Sequence, residues 1–395
     1  MICAVFIIGG YVVGSVSPSF FLGKILKNID IRQHGTGNAG TLNTFKVLGW
    51  GPGTITALFD LTKGLLSMFI AHSLGASPLC AHLVGLAAIL GHTFPFYLKF
   101  RGGQGVATAT AIMIYYLVFF FTKGGLPVGI LIPLAFAVGS FAYISKKEEL
   151  VGIVILPLLA IFIFVFAPFQ TYHIFILSII VYILIINILN VYRGQFLRST
   201  SEKIKKEINW RLYLRPFAFL LILYYLNAGK RAALVLIGSI ALFFLLLDLI
   251  RLFSRRVNVF FFKTIKDFYK SKEYKKFSSI TLFLFASFLT ILLFNKNIAI
   301  LAVSFLIFGD FFSKFFGLHF GRTKIFEKSL EGSLAHFNAC IISGYIMLHF
   351  ISAPLHIYLT GALVASVSEA LPIGINDNFS VGLLSASSMY VFYLF

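Results

Sequence analysis

The sequence predicts an all-α polytopic membrane protein, with about fourteen transmembrane helices in two seven-helix halves. Three observations carry that prediction. Mean hydropathy is +0.93 while only 12% of residues are charged, a balance far from that of soluble domains. Apolar runs of bilayer-spanning length recur along the whole chain. The basic residues gather in alternate loops, as orientation in a membrane requires.

The first half contributes apolar runs at 3–23, 54–75, 79–97, 105–121, 125–144, 150–167 and 171–191. The second contributes 212–228, 232–250, 277–295, 297–313, 333–352, 355–371 and 380–395. The runs 105–121 and 380–395 are short for a span. With the N-terminus outside, the loops 24–52, 98–104, 146–147, 193–215, 251–276 and 314–328 are cytoplasmic and hold 28 of the 33 Lys and Arg residues. The outer loops hold only Lys123, Lys230, Arg231 and Lys296, and Lys63 lies within a span. This asymmetry predicts a multi-pass protein of the cell inner (plasma) membrane, with its polar motifs on the cytoplasmic side.

The net charge of +19 sits in short juxtamembrane loops, so anionic membrane lipids, and no nucleic acid, are the expected partners. Met1 to Phe20 lacks a basic leader and reads as a first helix, not a removed signal peptide. Cys3, Cys80 and Cys340 lie in apolar segments without metal or redox spacing and read as packing residues. The polar stretch 193–211 separates two halves whose motifs differ, which predicts domains 1–200 and 205–395. A transporter without chemistry is disfavoured, because such proteins commonly repeat one half in the other.

The run Asp30 to Asn43 is polar and contains Gly35, Gly37 and Gly40 beside Arg32, His34, Asn38 and Asn43. Glycines let backbone N–H groups converge on an anion, and Arg and Asn add donors. Asp60 and Lys63 are one helical turn apart inside a span, where charge is costly and usually functional. Farther on, His92 precedes a loop with Gly102, Gly103 and Gly105 that opens the next helix, flanked by Lys99 and Arg101. That is a second anion seat.

Together these segments resemble the acyl-phosphate-dependent glycerol-3-phosphate acyltransferases. The match runs from Gly14-Ser15 and Lys24 through Asp30-Ile31-Arg32, Gly35 to Asn43, Asp60 with Lys63-Gly64, Gly91-His92 with Pro95, to Gly102 through Thr108. The resemblance implies a seven-helix fold that transfers an acyl group from acyl phosphate to glycerol 3-phosphate, forming lysophosphatidic acid without a cofactor. It implies catalytic roles for Asn38, Asn43 and His92. It assigns substrate or phosphate binding to Ser15, Lys24, Arg32, Thr36, Gly37, Gly40, Lys63, Gly102, Gly103, Gln104, Gly105 and Thr108. Acyl phosphate is already activated, so positioning and charge stabilisation suffice without a covalent nucleophile. The chain departs from the family pattern at Thr36 (usually Ser), Thr41-Leu42 (Ala-Thr), Lys46 (Arg) and Gln104 (Lys). It lacks the His, Arg and Glu of a third motif, whose place is taken by Leu184, Asn187-Ile188, Asn190 and Gly194-Gln195-Phe196.

In the second half, residues 309–333 and 369–378 gather Asp310, Gly317, Arg322, Lys328, Ser329, Glu331, Gly332, Glu369, Asp377 and Asn378. Carboxylates with basic residues and glycines suit magnesium and a polyphosphate. This pattern resembles the CTP-dependent membrane lipid kinases, which include dolichol kinase, phytol kinase and the CTP-dependent diacylglycerol kinase. The resemblance implies phosphoryl transfer from CTP or ATP to a lipid alcohol. Asp310, Lys328 and Asp377 would be catalytic, Asp310 and Asp377 would hold Mg2+, and Arg322, Ser329, Glu331, Gly332, Glu369 and Asn378 would bind substrate. The family's basic element is not recognisable, with Glu207 and Arg211 as its remnant. No Walker A sequence occurs, which excludes a P-loop kinase. The main reading is a bifunctional lipid enzyme; the rival is a lipid kinase with a non-catalytic acyltransferase-like half.

Overall fold

The protein is described by a computed structural model covering residues 2–193, 212, 214–264, 273–372 and 376–394. Among the described residues, eight helices are long and apolar enough to cross a membrane, and Val106–Thr122 and Ser279–Leu293 are shorter apolar helices. Among the described residues, the apolar runs identified in the sequence fall mainly on helix. The chain divides into two compact units, Met1–Val128 with Gly152–Gly194, and Gly129–Val151 with Gln195–Phe395.

The first unit begins with α1 (Ile2–Ser15) and α2 (Pro18–Lys27), one apolar span broken in the middle. Ser17 caps α2, and Pro18 occupies its first turn, where a missing N–H is harmless. Then come α3 (Thr41–Leu48), α4 (Trp50–Ser73), α5 (Pro78–Thr93) and α6 (Val106–Thr122). The next helix, α7 (Leu131–Ser145), is grouped by sequence with the first half but packs within the second unit. The first unit resumes at Gly152, within α8 (Glu148–Phe166), and continues with α9 (Thr171–Arg193).

Helix α5 is the centre of the first unit, with Val84, Ala88, Gly91 and His92 all buried. It approaches α1 closely because Gly14 and Gly91 present bare backbone: a side chain at either would strike the facing main chain, Ala88 and Tyr11 respectively. In lipid, such small-residue contacts are a main source of helix association. At the start of α5, Cys80 is bonded to Cys3 in a disulfide. The expectation that both are only packing residues is thereby corrected, because the fold brings together positions 77 residues apart. Cys340 is a buried free thiol.

The second unit continues with α10 (Phe219–Phe253), broken at Gly229, where φ is 81°. That break corresponds to the two expected spans 212–228 and 232–250. Helices α11 (Arg255–Thr264), α12 (Ser279–Leu293) and α13 (Lys296–Ser304) follow. Helix α13 is buried all round, from Ile298 to Ser304, as expected of a helix without a polar face. A π-helical turn at Phe305–Gly309 leads into α14 (Asp310–Phe320). The antiparallel hairpin β1 (Lys324–Ile325) and β2 (Lys328–Ser329) pairs Lys324 with Ser329. It opens α15 (Leu330–Met347), followed by α16 (Leu355–Ala370), the turn α17 (Asp377–Phe379) and α18 (Ser385–Leu394). Most of the linker 193–211, with Gly194-Gln195-Phe196, Glu207 and Arg211, lies outside the described residues.

Candidate functional sites

In the first unit the loop after α2 is organised from within. Asp30 caps a short turn through the Arg32 N–H and takes the Arg32 guanidinium at 2.7 Å. Arg32 also donates to the carbonyls of Leu98 and Arg101, at 2.9 and 3.1 Å, and so ties this loop to the one after α5. The Arg32 hydrogen bond, opposed by partial burial, holds the Asp30 carboxyl below its ordinary value. The same bond raises Arg32.

Asn43 is 1% exposed. Its amide donates to the carbonyls of Ile31, His34 and Asn38, and its oxygen accepts from the Thr36 N–H at 2.7 Å. That satisfies the side chain, so Asn43 shapes the loop and leaves no donor for a ligand. Asn38 is half-buried, and no side-chain hydrogen bond ties it to the protein among the described residues. Lys24 and Thr36 are exposed, while Ser15 is buried and donates to the Tyr11 carbonyl.

Behind the loop lies a buried polar network. Lys63 and Asp60, 1% and 2% exposed, pair at 2.8 Å. Lys63 also donates to the Val16 carbonyl at 3.2 Å, one of the acceptors freed by the break between α1 and α2. Tyr97 holds the other side of that break, accepting from the Ser17 N–H and donating to the Ser15 carbonyl. Thr41 donates to Asp60 at 3.2 Å, and His92 Nδ1 lies 3.5 Å from the same carboxylate. Thr108 Oγ1 donates to the Asp60 carbonyl at 2.7 Å and lies 3.3 Å from His92 Nδ1. Since the Thr108 proton is committed to Asp60, Thr108 can only accept from His92. That assigns a proton to Nδ1, on the side of Asp60 and Thr108, and leaves Nε2 on the side of Gly103.

His92 Nε2 faces Gly103. A Cβ at Gly103 would collide with that nitrogen and lie 2.9 Å from the Ala39 carbonyl. Bare backbone is required here, between the histidine and the first loop. The loop is anchored by Gly102 and Gly103 N–H groups donating to the Thr93 and His92 carbonyls. Gly105, at φ 67°, turns the chain into α6, a conformation that glycine adopts without cost. Tyr182 of α9 donates to the Gln104 carbonyl at 2.8 Å, and Gln104 exchanges amide hydrogen bonds with Asn190. The seat therefore carries a neutral amide pair where the resembled family has a lysine. Gly37 and Gly40 lie in the first loop, with Gly40 facing Gly103.

The second unit has a cavity of about 370 Å³ lined by Ser313, Lys314, Gly317, Arg322, Lys324, Glu327, Lys328, Ser329, Gly332, Glu369 and Asp377 among others. Ser329 caps α15 by accepting from the Gly332 N–H. Lys328 pairs with Glu369 at 2.8 Å and Asp377 at 3.0 Å, and also donates to the Glu369 carbonyl. Burial pulls the Lys328 ammonium down, but Glu369 and then Asp377 carry it above its ordinary value. Glu331 accepts from the Arg322 and Thr323 N–H groups and pairs with the Arg322 side chain. It braces the turn before the hairpin. Arg322 reaches on to the carbonyls of Tyr143 and Ile144, ending α7.

Asp310, expected as a metal ligand, is buried against Arg215 and Lys314 and does not line the cavity. Asn378 is likewise engaged, accepting from Arg215 and donating to the Ser279 carbonyl. Among the described residues no group of three or more His, Cys, Asp or Glu is gathered as a metal cluster. Sequence reasoning missed Thr41, Tyr97 and Tyr182 in the first unit and Arg215 and Ser313 in the second. Of these, Thr41 lies within the polar run Asp30 to Asn43, and Ser313 lies one helical turn from Asp310.

Comparison with known proteins bears on the first part of the chain. Residues 4–196 match the family described as Glycerol-3-phosphate acyltransferase. A glycerol-3-phosphate acyltransferase of Shouchella clausii is 50% identical over 106 residues, 26% of this chain and 52% of that protein. Its counterpart in Halalkalibacterium halodurans is 45% identical over 109 residues, 27% of this chain and 53% of that one. The chain thus spans about half the length of the curated relatives it matches. The crystal structure of PlsY (YgiH), an integral membrane glycerol 3-phosphate acyltransferase in its glycerol 3-phosphate form, is 28% identical. It aligns over 49% of this chain and 92% of its own, with a TM-score of 0.38. The part of the chain from residue 4 to residue 196 belongs to the glycerol-3-phosphate acyltransferase family.

Proposed function

We propose that the first unit transfers an acyl group from acyl phosphate to glycerol 3-phosphate at the cytoplasmic face of the cell membrane. The observation that carries this is His92 Nε2 facing the glycine loop, with Asp60 and Thr108 behind its other nitrogen. The glycerol 3-phosphate hydroxyl attacks the acyl carbonyl, and the bond from that carbon to the phosphate oxygen breaks. Inorganic phosphate leaves, and the hydroxyl proton passes to His92 Nε2. Asn38 supplies a side-chain donor to one phosphate, and the backbone at 104–105 with the α6 N-terminus seats the other. Arg32 and Asn43 act as positioning residues, since their hydrogen bonds already hold the loop. The disulfide supports an outside N-terminus, because Cys3 and Cys80 fall on the side opposite the basic loops, where oxidising conditions favour the bond. The test is lysophosphatidate formation by the purified protein in lipid, followed by mass spectrometry. Asn38→Ala should abolish it, and an inactive wild-type protein would leave the first unit a non-catalytic relative.

For the second unit, the cavity favours a nucleotide-dependent lipid kinase. About 370 Å³ accommodates a small phosphorylated ligand, and Lys314, Arg322, Lys324 and Lys328 surround it beside the capped start of α15. The reaction would move the terminal phosphoryl group of CTP or ATP to a membrane lipid alcohol, with loss of the hydroxyl proton. Magnesium, when bound, neutralises phosphate charge. Glu369 and Asp377 fit that ion, since Glu369 Oε2 has no hydrogen-bond partner among the described residues and both side chains line the cavity. Radiolabelled CTP and ATP offered with a panel of lipid alcohols test the activity, and a blank panel overturns it.

A further inference from the structure

We propose that Lys328 is an exchangeable counter-ion: its ammonium holds the Glu369 and Asp377 carboxylates until a polyphosphate draws it away, and a divalent cation then takes its place between them. The inference rests on the reading of the second unit as a polyphosphate site. It starts from hydrogen-bond capacity. A lysine ammonium has three donors, and Lys328 directs them to Glu369 Oε1, the Glu369 carbonyl and Asp377 Oδ2. In this arrangement Lys328 has nothing left for a phosphate, although it lines the cavity. A phosphate contact requires it to release at least one acceptor.

Release uncovers a defined pair of oxygen ligands. Glu369 is 4% exposed; Ser313 donates to its Oε1 at 2.9 Å, and its Oε2 is buried without a partner among the described residues. The Asp377 side chain is 47% exposed, lines the cavity and meets Lys328 through Oδ2. Once the ammonium moves to phosphate, a buried carboxylate is left uncompensated, an arrangement proteins avoid. A hard divalent cation with carboxylate and phosphate oxygens restores the balance. Of the neighbouring cations, Lys314 pairs with Asp310 and Arg322 with Glu331, while Lys324 is exposed on the hairpin. Cation and polyphosphate therefore bind together, each raising the affinity of the other by the same factor.

The test uses the full chain in lipid nanodiscs and Mn2+ alone as probe, with free ion followed by electron paramagnetic resonance. Lys328→Met should raise nucleotide-free Mn2+ affinity at least about tenfold, because the competing ammonium is gone. The double variant Lys328→Met/Asp377→Asn should lose that gain. Wild-type Mn2+ affinity in folded Lys328→Met, or an equal gain in the double variant, overturns the proposal. Asp377 is half exposed, so Asp377→Asn alone provides a variant under little folding stress. It frees part of Lys328 and should tighten binding of inorganic tripolyphosphate in EDTA several-fold, whereas unchanged or weaker binding counts against exchange. If no tripolyphosphate binds to any variant, the polyphosphate reading fails, while the Mn2+ titration still decides the exchange.

Discussion

Replacing Lys63 with Met removes a charge that the first unit has buried completely. The side chain is 1% exposed and its Asp60 partner 2% exposed, at 2.8 Å. Without the ammonium, Asp60 keeps, among the described residues, the Thr41 hydroxyl at 3.2 Å and the His92 ring at 3.5 Å. Breaking a buried pair by removing one partner costs about 3–5 kcal/mol. The Val16 carbonyl also loses its donor, for about 1 kcal/mol more. In a unit of this size such a loss lowers Tm by about 10 °C or more. The Asp60→Asn/Lys63→Met double variant removes both charges and should recover roughly half of it. Thermal unfolding of wild type, both single variants and the double variant in one detergent closes the cycle. We expect a coupling of at least about 2 kcal/mol. Additive single effects, or Lys63→Met melting with the wild type, would refute the buried pair as the organiser of this core.

Four further outcomes can be measured. Gly103→Ala sets a methyl against His92 Nε2 and the Ala39 carbonyl; acyl transfer should fall about 100-fold, and full activity would remove His92 from the reaction. Asp30, held low by Arg32, contributes stability that is fully present above the ordinary aspartate value of about 4 and is lost as pH falls through its lower folded value. Asp30→Asn should therefore flatten the acid limb of a Tm-versus-pH curve. The Cys3–Cys80 bond closes a long loop, so dithiothreitol should cost about 2–4 kcal/mol, and Cys3→Ser should abolish the reductant effect. Asp310→Asn should lower Tm through Arg215 and Lys314 while the magnesium dependence of any kinase turnover stays unchanged; a shifted dependence would restore Asp310 as a metal ligand.

Local spacing carries much of this fold. Apolar runs locate the helices, and the three-residue interval between Asp60 and Lys63 is enough to announce their pair. What local spacing cannot supply is the partner chosen across the fold. His92 joins Asp60 only because α4 and α5 pack side by side, and Asn190 reaches Gln104 only because α9 returns to the same end. Asn43 reads like a phosphate donor in sequence, yet a buried amide takes the nearest backbone acceptors, and three carbonyls are within reach. Glu331 follows the same logic with two N–H groups. The cysteine pair escapes because bonding at a separation of 77 leaves no local trace. The allocation of α7 to the second unit depends on which apolar faces match, and hydropathy alone does not distinguish them.

The interrupted first span also constrains how the protein is made. Val16 exposes a carbonyl inside an apolar run, yet its donor, Lys63, is synthesised 47 residues later. Tyr97, which holds the neighbouring Ser15 carbonyl, comes 82 residues after its partner. Lipid offers no substitute for either. The opening run must therefore enter the bilayer as a provisional helix and take up its break only after α4 and α5 have arrived. The Cys3–Cys80 bond then records that event in covalent form, since it too waits for the start of α5. Membrane insertion and folding are thus separate stages for the first hundred or so residues, and a ribosome stalled before Tyr97 would display a first helix whose shape differs from the mature one.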